Sequence, residues 1–507
     1  MDGSGGGVGA EVDEERASAL PALAWQPISV VASLMGTVML IFSSRLGYFG
    51  DELYFIGAGS RPDVNFADQP PLVPWLAHVM NDLGGGSLVV LRLPSVLMMM
   101  AGVVVTALIA RELGGGPGAQ LIAAGAFAVS PNFLIGGTLL ATSTVDPLLW
   151  TVVTWLLVRW VRGRDDKVLL WAGAVTAVGI QAKYLIAVLW VVVLVGVLVA
   201  GPRELLRRPL LWVGAAIPLV TGLPGLIWQA NRGWPGLEMV GVVSQDVARF
   251  EGGRVGFVVT LLQNSLPIAA GALLFFGLWR VLRSPGLREY RFLGWAVVLL
   301  VALVFALGLR MYHVVGLFGV LWAFGAVEVE RTGVSRWFRW IPTMPVFLVS
   351  AFLAVFVALP WYPESWVKDD DLLNSGRLGW PTVAGAVALA YHQLPPEQAE
   401  HTAIVTSVYW QAGALDTFGP DLGLPAPYSP NRGYYYFGAP PDSATSALLV
   451  APDRTMLDGH FDTVTKVADI EVPIGFPQLN KGLSVYLCEG QVEPWSKIWP
   501  GLRTMVA

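Results

Sequence analysis

The chain has 507 residues, of which 54% are hydrophobic and 14% charged, with a mean hydropathy of +0.59 and a net charge of −5. Apolar runs of about 20 residues, the length that spans a bilayer, recur along it and exclude a soluble globular protein. The weak net charge gives no reason to expect nucleic acid as a partner, and a lone cysteine, Cys488, excludes an internal disulfide and reads as a small buried apolar residue.

Residues 1–24 open glycine-rich and acidic, without the basic start of a signal peptide, and read as a disordered cytoplasmic tail. Eleven spanning helices are expected at 25–43, 88–110, 118–136, 146–161, 168–182, 184–200, 210–230, 255–279, 292–309, 312–328 and 341–360. Lys183 splits the long run 168–200 into a hairpin. Alternate connections carry fifteen Arg and Lys, from Arg111 to Arg339, against eight on the opposite side before residue 361, which assigns the richer side to the cytoplasm. With the N-terminus inside, the outer-face loop 44–87, the turn at Asp146, Lys183, the 231–254 loop and Arg310–His313 all fall on the extracytoplasmic face.

From about Trp361 the apolar runs shorten, so a transmembrane domain, 25–360, is expected to give way to an extracytoplasmic α/β domain, 361–507. Its helix is expected at Trp380–Leu394, and its strands at Thr402–Tyr409, Ala447–Ala451, Thr463–Val467 and Leu483–Cys488. The aromatic loop Tyr428–Gly438 reads either as a packing surface or as a platform for sugar or lipid.

The stretch Gly47–His78 is the candidate active site, because a long acidic and aromatic loop between two membrane-grade segments is more than a connection. Adjacent Asp51 and Glu52 suit a general base or a shared cation, and equally an acidic helix start. Asp68 precedes Pro70 and Pro71, which suit the first turn of an amphipathic interfacial segment, Leu72–Met80, anchored by Trp75. Asp146 reads as a helix cap ahead of Pro147, or as a further oxygen ligand that would let the acids hold a divalent cation such as Mg, Mn or Ca. Lys183, Arg92 and Arg310 either snorkel or neutralise an anion, and His313 reads as a phosphate partner or a satisfied interfacial histidine. Cations on phosphate oxygens with an acid on a hydroxyl would match a phosphate-bearing donor. A transporter is also compatible with eleven helices and charges near the membrane, although the charges cluster at one face and no internal repeat is seen. A non-catalytic sugar- or lipid-binding protein is the third reading.

Several motifs, in order, resemble the bacterial family 39-type membrane glycosyltransferases of GT-C fold, relatives of the protein O-mannosyltransferases and of the aminoarabinose transferase of lipid A. They are Gly50-Asp51-Glu52-Leu53-Tyr54, Asp68-Gln69-Pro70-Pro71-Leu72, Leu91-Arg92-Leu93-Pro94-Ser95, Thr144-Val145-Asp146-Pro147-Leu148, Gly179-Ile180-Gln181-Ala182-Lys183-Tyr184, Ile227-Trp228-Gln229-Ala230-Asn231-Arg232-Gly233-Trp234-Pro235 and Gln411-Ala412-Gly413-Ala414-Leu415-Asp416. The resemblance implies a bacterial plasma-membrane enzyme, working among membrane lipids, that transfers a sugar with inversion. The donor would be a polyprenyl-phosphate sugar, and the acceptor a hydroxyl of a lipid, glycan or protein on the outer face. It implies Asp51 as the base, Glu52 and Asp146 as its orienting or metal-holding partners, and Lys183 with Arg92 or Arg310 on the phosphate. Gln229, in place of asparagine, and Arg310-Met311-Tyr312-His313, in place of a lysine-proline-tyrosine pattern, depart from the family.

Overall fold

The computed structural model describes residues 20–333 and 335–506. Most of the expected N-terminal tail, residues 1–19, lies outside the described residues; residues 20–24 lead without regular structure into the helix Trp25–Phe42. Each of the eleven expected apolar segments coincides with helix. Among the described residues six helices are long and apolar enough to cross a membrane: Trp25–Phe42, Leu88–Glu112, Thr142–Gly163, Pro209–Asn231, Pro285–Leu307 and Met311–Thr332. Lys167–Ala182, Leu185–Ala200 and Met344–Ala358 are shorter apolar helices. With Leu34, Val220 and Phe352 exposed on its perimeter, this bundle is that of an integral membrane protein.

Two expected spans are bent. Pro117–Ala128 and Pro131–Gly137 meet at 64°, and Gly253–Ser265 and Ile268–Arg283 at 110°. Pro131 and Pro267 sit in the breaks, where a missing N–H and a ring clash interrupt the helical ladder. The two bends touch: Asn264 Oδ1 accepts from the Asn132 backbone N–H at 3.1 Å. Elsewhere the bundle closes on small residues. A Cβ on Gly173 would stand 2.2 Å from the Gly214 carbonyl oxygen, so these helices approach as closely as backbones allow.

Two helices of the first long loop carry the site. Gly50–Gly59 is stapled at its start, where Glu52 Oε2 accepts from the Phe49 N–H at 2.9 Å. Leu72–Gly84 extends past the expected Met80 and leaves Trp75, Val79 and Leu83 exposed, as an interfacial helix would.

The C-terminal part holds a four-stranded sheet of order β1-β2-β4-β3, with β1 Thr402–Thr406, β2 Ser446–Ala451, β3 Phe461–Ile470 and β4 Leu483–Gln491. β1 and β2 run parallel; β4 is antiparallel to both β2 and β3. Alternate residues of the buried strands face two cores. Ala403, Val405, Ala447, Leu449 and Cys488 pack under Trp495 and Trp499, which makes Cys488 the buried apolar residue expected. Ile404, Leu448 and Val450 join a core shared with Leu53, Tyr54 and Phe55 of the first loop. That shared core locks the sheet domain onto the loop. The first strand ends at Thr406, three residues short of expectation; Tyr409 instead opens a helix, Tyr409–Phe418, which lies on Gly50–Gly59. The approach is tight, since a Cβ on Gly413 would meet the Leu53 carbonyl carbon and the Tyr54 nitrogen at 2.7 Å.

Candidate active site

Asp51 and Glu52 both lie in the first turn of Gly50–Gly59, but successive side chains on a helix diverge by about 100°, and the two acids face opposite ways. Glu52 turns inward and is fully buried. Its Oε2 lies 2.6 Å from Arg92 Nη2 and its Oε1 2.9 Å from Arg92 Nε, while the Leu140 N–H donates to Oε1 at 2.8 Å. Arg92, also fully buried, donates further to the carbonyls of Ser43 and Gly47. Burial alone would raise the Glu52 carboxyl; the Arg92 charge and the hydrogen bonds from Arg92, Leu140 and Phe49 outweigh it and hold it below the ordinary carboxylate range. In this arrangement Arg92 braces Glu52 rather than presenting its donors to a phosphate, and Glu52 braces the helix that carries Asp51.

Asp51 turns toward the C-terminal domain and is half-buried. Its Oδ1 accepts from Tyr409 Oη at 2.8 Å and Trp410 Nε1 at 2.7 Å, and among the described residues Oδ2 has no hydrogen-bond partner. The Tyr409 hydroxyl accepts from Arg432 Nη1 at 2.8 Å, and Arg432 Nη2 donates to Asp246 Oδ2 at 2.8 Å. Asp68 stands nearby: its Oδ1 accepts from Tyr54 Oη at 2.6 Å, and its carboxyl is raised, by burial first and also by the charge of Asp51, against the pull of Tyr54 and Arg432. Burial pushes the Tyr54 and Tyr409 phenols well above their ordinary value, so both remain donors. Beside them Arg61 forms a two-pronged pair with Asp416, at 2.6 and 2.9 Å, and Tyr434 Oη donates to Asp416 at 2.6 Å. The Tyr428–Gly438 loop is therefore a packing surface and not an open platform. It carries Arg432 and Tyr434 into the seam between loop and sheet domain.

A second group of expected residues gathers at neighbouring helix ends. Tyr184 Oη donates to Asn65 at 2.8 Å, which places Lys183 beside the first loop. Lys183 Nζ lies 4.8 Å from the Tyr312 ring centre, and its charge acts on both Asp146 and His313. Asp146 is buried in the second turn of Thr142–Gly163, where its Oδ1 accepts from Trp150 Nε1 at 2.8 Å; it is not the helix cap expected, because the helix begins four residues earlier and takes Pro147 into its interior. His313 is buried with Nδ1 2.9 Å from the Arg310 carbonyl, and Arg310 Nε pairs with Glu251 at 2.6 Å. Gln229, one of the departures, is a brace for the loop: its amide donates to Phe66 O at 3.0 Å and accepts from the Gly236 N–H at 2.8 Å.

Asp51, Glu52 and Asp146 do not converge as a shared cation set, because Glu52 is turned into the Arg92 pair and Asp146 toward Trp150. Among the described residues no group of three or more His, Cys, Asp or Glu could hold a metal ion. Tyr409, Trp410 and Arg432 had no signal in the sequence beyond lying near the Gln411–Asp416 motif or in the aromatic loop, and Asp246 none beyond lying in the outer-face 231–254 loop.

The fold is a helical membrane bundle whose first long loop is locked to a small α/β domain. Residues 68–228 match the family model described as dolichyl-phosphate-mannose-protein mannosyltransferase, a segment that holds Asp68, Arg92, Asp146 and Lys183 and begins after Asp51. The chain is similar in structure to ArnT from Cupriavidus metallidurans bound to undecaprenyl phosphate, with a TM-score of 0.59 and 17% identity over 90% of this chain and 97% of that one. The apo state of the same ArnT gives a TM-score of 0.59 at 15% identity over the same shares. The arabinofuranosyltransferase AftD from Mycobacteria gives 0.54 at 17% identity over 94% of this chain and 40% of AftD. No curated protein matches by sequence. The family 39-type resemblance and the GT-C fold expected from the motifs are borne out.

Proposed function

We propose that the protein is an inverting glycosyltransferase that moves a sugar from a polyprenyl-phosphate donor to an acceptor hydroxyl at the outer face of the membrane. The observation that carries this reading is the state of Asp51: one oxygen is fixed by two donors, and the other has no partner among the described residues. A carboxylate so held is a general base with a set direction. Asp51 Oδ2 takes the proton of the acceptor hydroxyl, the acceptor oxygen bonds to the anomeric carbon, and the bond from that carbon to the phosphate oxygen breaks on the opposite face, with inversion. The departing lipid phosphate carries negative charge, and Lys183, on the helix break beside the loop, meets it. Arg310 and His313 line the same side. Arg92 and Glu52 act by bracing Asp51.

Three findings support the reading: the mannosyltransferase family match, the ArnT-like fold, and an ArnT structure that holds undecaprenyl phosphate. The asymmetry of Arg and Lys supports placing the first loop and the C-terminal domain outside. The acceptor class, lipid, glycan or protein, is to be read from the product. The test is Asp51→Asn, assayed with the purified full-length protein in nanodiscs on polyprenyl-phosphate pentose and hexose donors with cell-envelope acceptors. The change keeps the side-chain shape and its acceptor oxygen but removes the base, and transfer is expected to fall at least a hundredfold, the lower end of what a positioned base contributes. Unchanged transfer by Asp51→Asn would remove Asp51 as the base.

A further inference from the structure

Asp51 belongs to the first loop, yet everything that holds its carboxylate comes from elsewhere in the chain. Tyr409 and Trp410 begin the helix on the sheet domain, Arg432 lies in the aromatic loop, and Asp246 lies on the helix Pro235–Phe250. The direction of every hydrogen bond in this line is fixed by chemistry. A guanidinium only donates, so the Tyr409 oxygen accepts from Arg432 and its single proton goes to Asp51. An indole N–H only donates, so Trp410 also points at Asp51 Oδ1.

The charges lead to the same place. The groups facing Asp51 are Tyr409, Asp68 with Tyr54 behind it, and Arg432 with Asp246 behind it; Glu52 faces away into Arg92. Without Arg432, Asp51 and Asp68 would oppose each other uncompensated. Arg432 also sits at φ +47, in the left-handed region that a residue with a Cβ adopts at a cost, and its guanidinium carbon lies 4.6 Å from the Tyr409 ring centre. Its Nε donates to the Met505 carbonyl at 3.1 Å, so all three of its nitrogens are committed.

We propose that Asp246, Arg432 and Tyr409 form a positioning relay that sets the rotamer of Asp51 and so the direction of its second carboxylate oxygen. The C-terminal domain is then part of the catalytic apparatus rather than an accessory. The inference rests on the base role given to Asp51 above. It concerns residues that act on Asp51 directly, as Tyr409 does, or through one another, as Arg432 and Asp246 do, and that do not touch the reacting atoms.

The test is Tyr409→Phe in the full-length protein, with transfer measured against pH. The substitution removes one oxygen from a packed ring and leaves Trp410 in place. A carboxylate that loses a donor keeps its proton to higher pH, so the acid limb of kcat should move up by about one pH unit while the donor KM stays put. Arg432→Gln should move the limb further in the same direction, and Arg432→Lys should restore part of it. A uniform loss at every pH, with the limb unmoved, would overturn the relay and leave a merely structural network. If an arginine variant fails to fold, Tyr409→Phe decides the matter by itself. The two ideas fail separately. Transfer that survives Asp51→Asn refutes the base, whereas loss in Asp51→Asn with an unmoved limb in Tyr409→Phe refutes only the relay.

Discussion

The Glu52–Arg92 pair predicts an unequal response to losing either partner. Both side chains are fully buried, and between them they tie together the Phe49 N–H, the Leu140 N–H and the carbonyls of Ser43 and Gly47. Breaking a buried pair by removing one member costs about 3–5 kcal/mol, mostly because an uncompensated charge remains. A third buried charge decides which removal is worse. Arg377 is buried with its Nε and Nη1 unbonded, and its guanidinium is pushed down to about 9, by burial first and then by Arg92, against the opposing pull of Glu52 and Asp371. Arg92→Met therefore leaves the Glu52 carboxylate with two backbone donors and a second cation in reach, and belongs at the lower end of that range. Glu52→Gln strands two guanidiniums and belongs at the upper end. The assay is denaturation of the purified protein in mixed micelles, followed by intrinsic fluorescence at neutral pH. Because the folded Glu52 carboxyl lies below its ordinary value of 4.5, the pair's stabilisation is present above that value and is lost as pH falls through the folded one, so the parent should converge on Glu52→Gln in acid. Equal midpoints, or Arg92→Met costing more than Glu52→Gln, would refute this account of the charges.

Asp68 has the opposite sign. Its folded carboxyl is raised, so the folded state holds the proton more tightly, and this group's contribution falls as pH rises from the ordinary 3.8 through the folded value, then stays level. Asp68→Asn keeps an acceptor for Tyr54 without the charge, and should match the parent in acid yet unfold at higher denaturant near neutral pH; a gain that is the same at every pH would count against the assignment. Gly413→Val places carbon atoms against the Leu53–Tyr54 backbone, where neither side can yield, and overpacking of this kind costs about 1–3 kcal/mol. The expected result is a sheet domain that leaves the loop: faster proteolysis between residues 361 and 402, lost transfer and unchanged helical circular dichroism. A variant with wild-type transfer would show that the domain need not dock.

What could be read from the sequence follows the range of the forces involved. Hydropathy is a local sum, so every apolar segment was legible, from Trp25–Phe42 to Met344–Ala358. The bends were not, because a window that averages over residues 255–279 hides Pro267, whose effect is on backbone geometry and not on polarity. The acids of the first loop were legible as a site because carboxylates beside a bilayer stand out. Their division of labour was not. Read as an extended loop, adjacent Asp51 and Glu52 look like one charged pair; wound into a helix they point apart, one to Arg92 across 40 residues and the other to Tyr409 across 358. Tyr409 read as the end of a strand because β-branched and aromatic residues run up to it; the Gln411 side chain, which accepts from the Val408 N–H at 3.2 Å, starts a helix there instead, and Gly413 lets that helix lie against Leu53 and Tyr54. The long reach of these contacts also explains the architecture. A carboxylate fixed solely by its own loop would move with that loop, whereas Asp51 is gripped by the sheet domain while Glu52 is gripped by the bundle. The helix Gly50–Gly59 is thus held at adjacent residues from opposite sides, which fixes the direction of Asp51 Oδ2 more firmly than either grip alone.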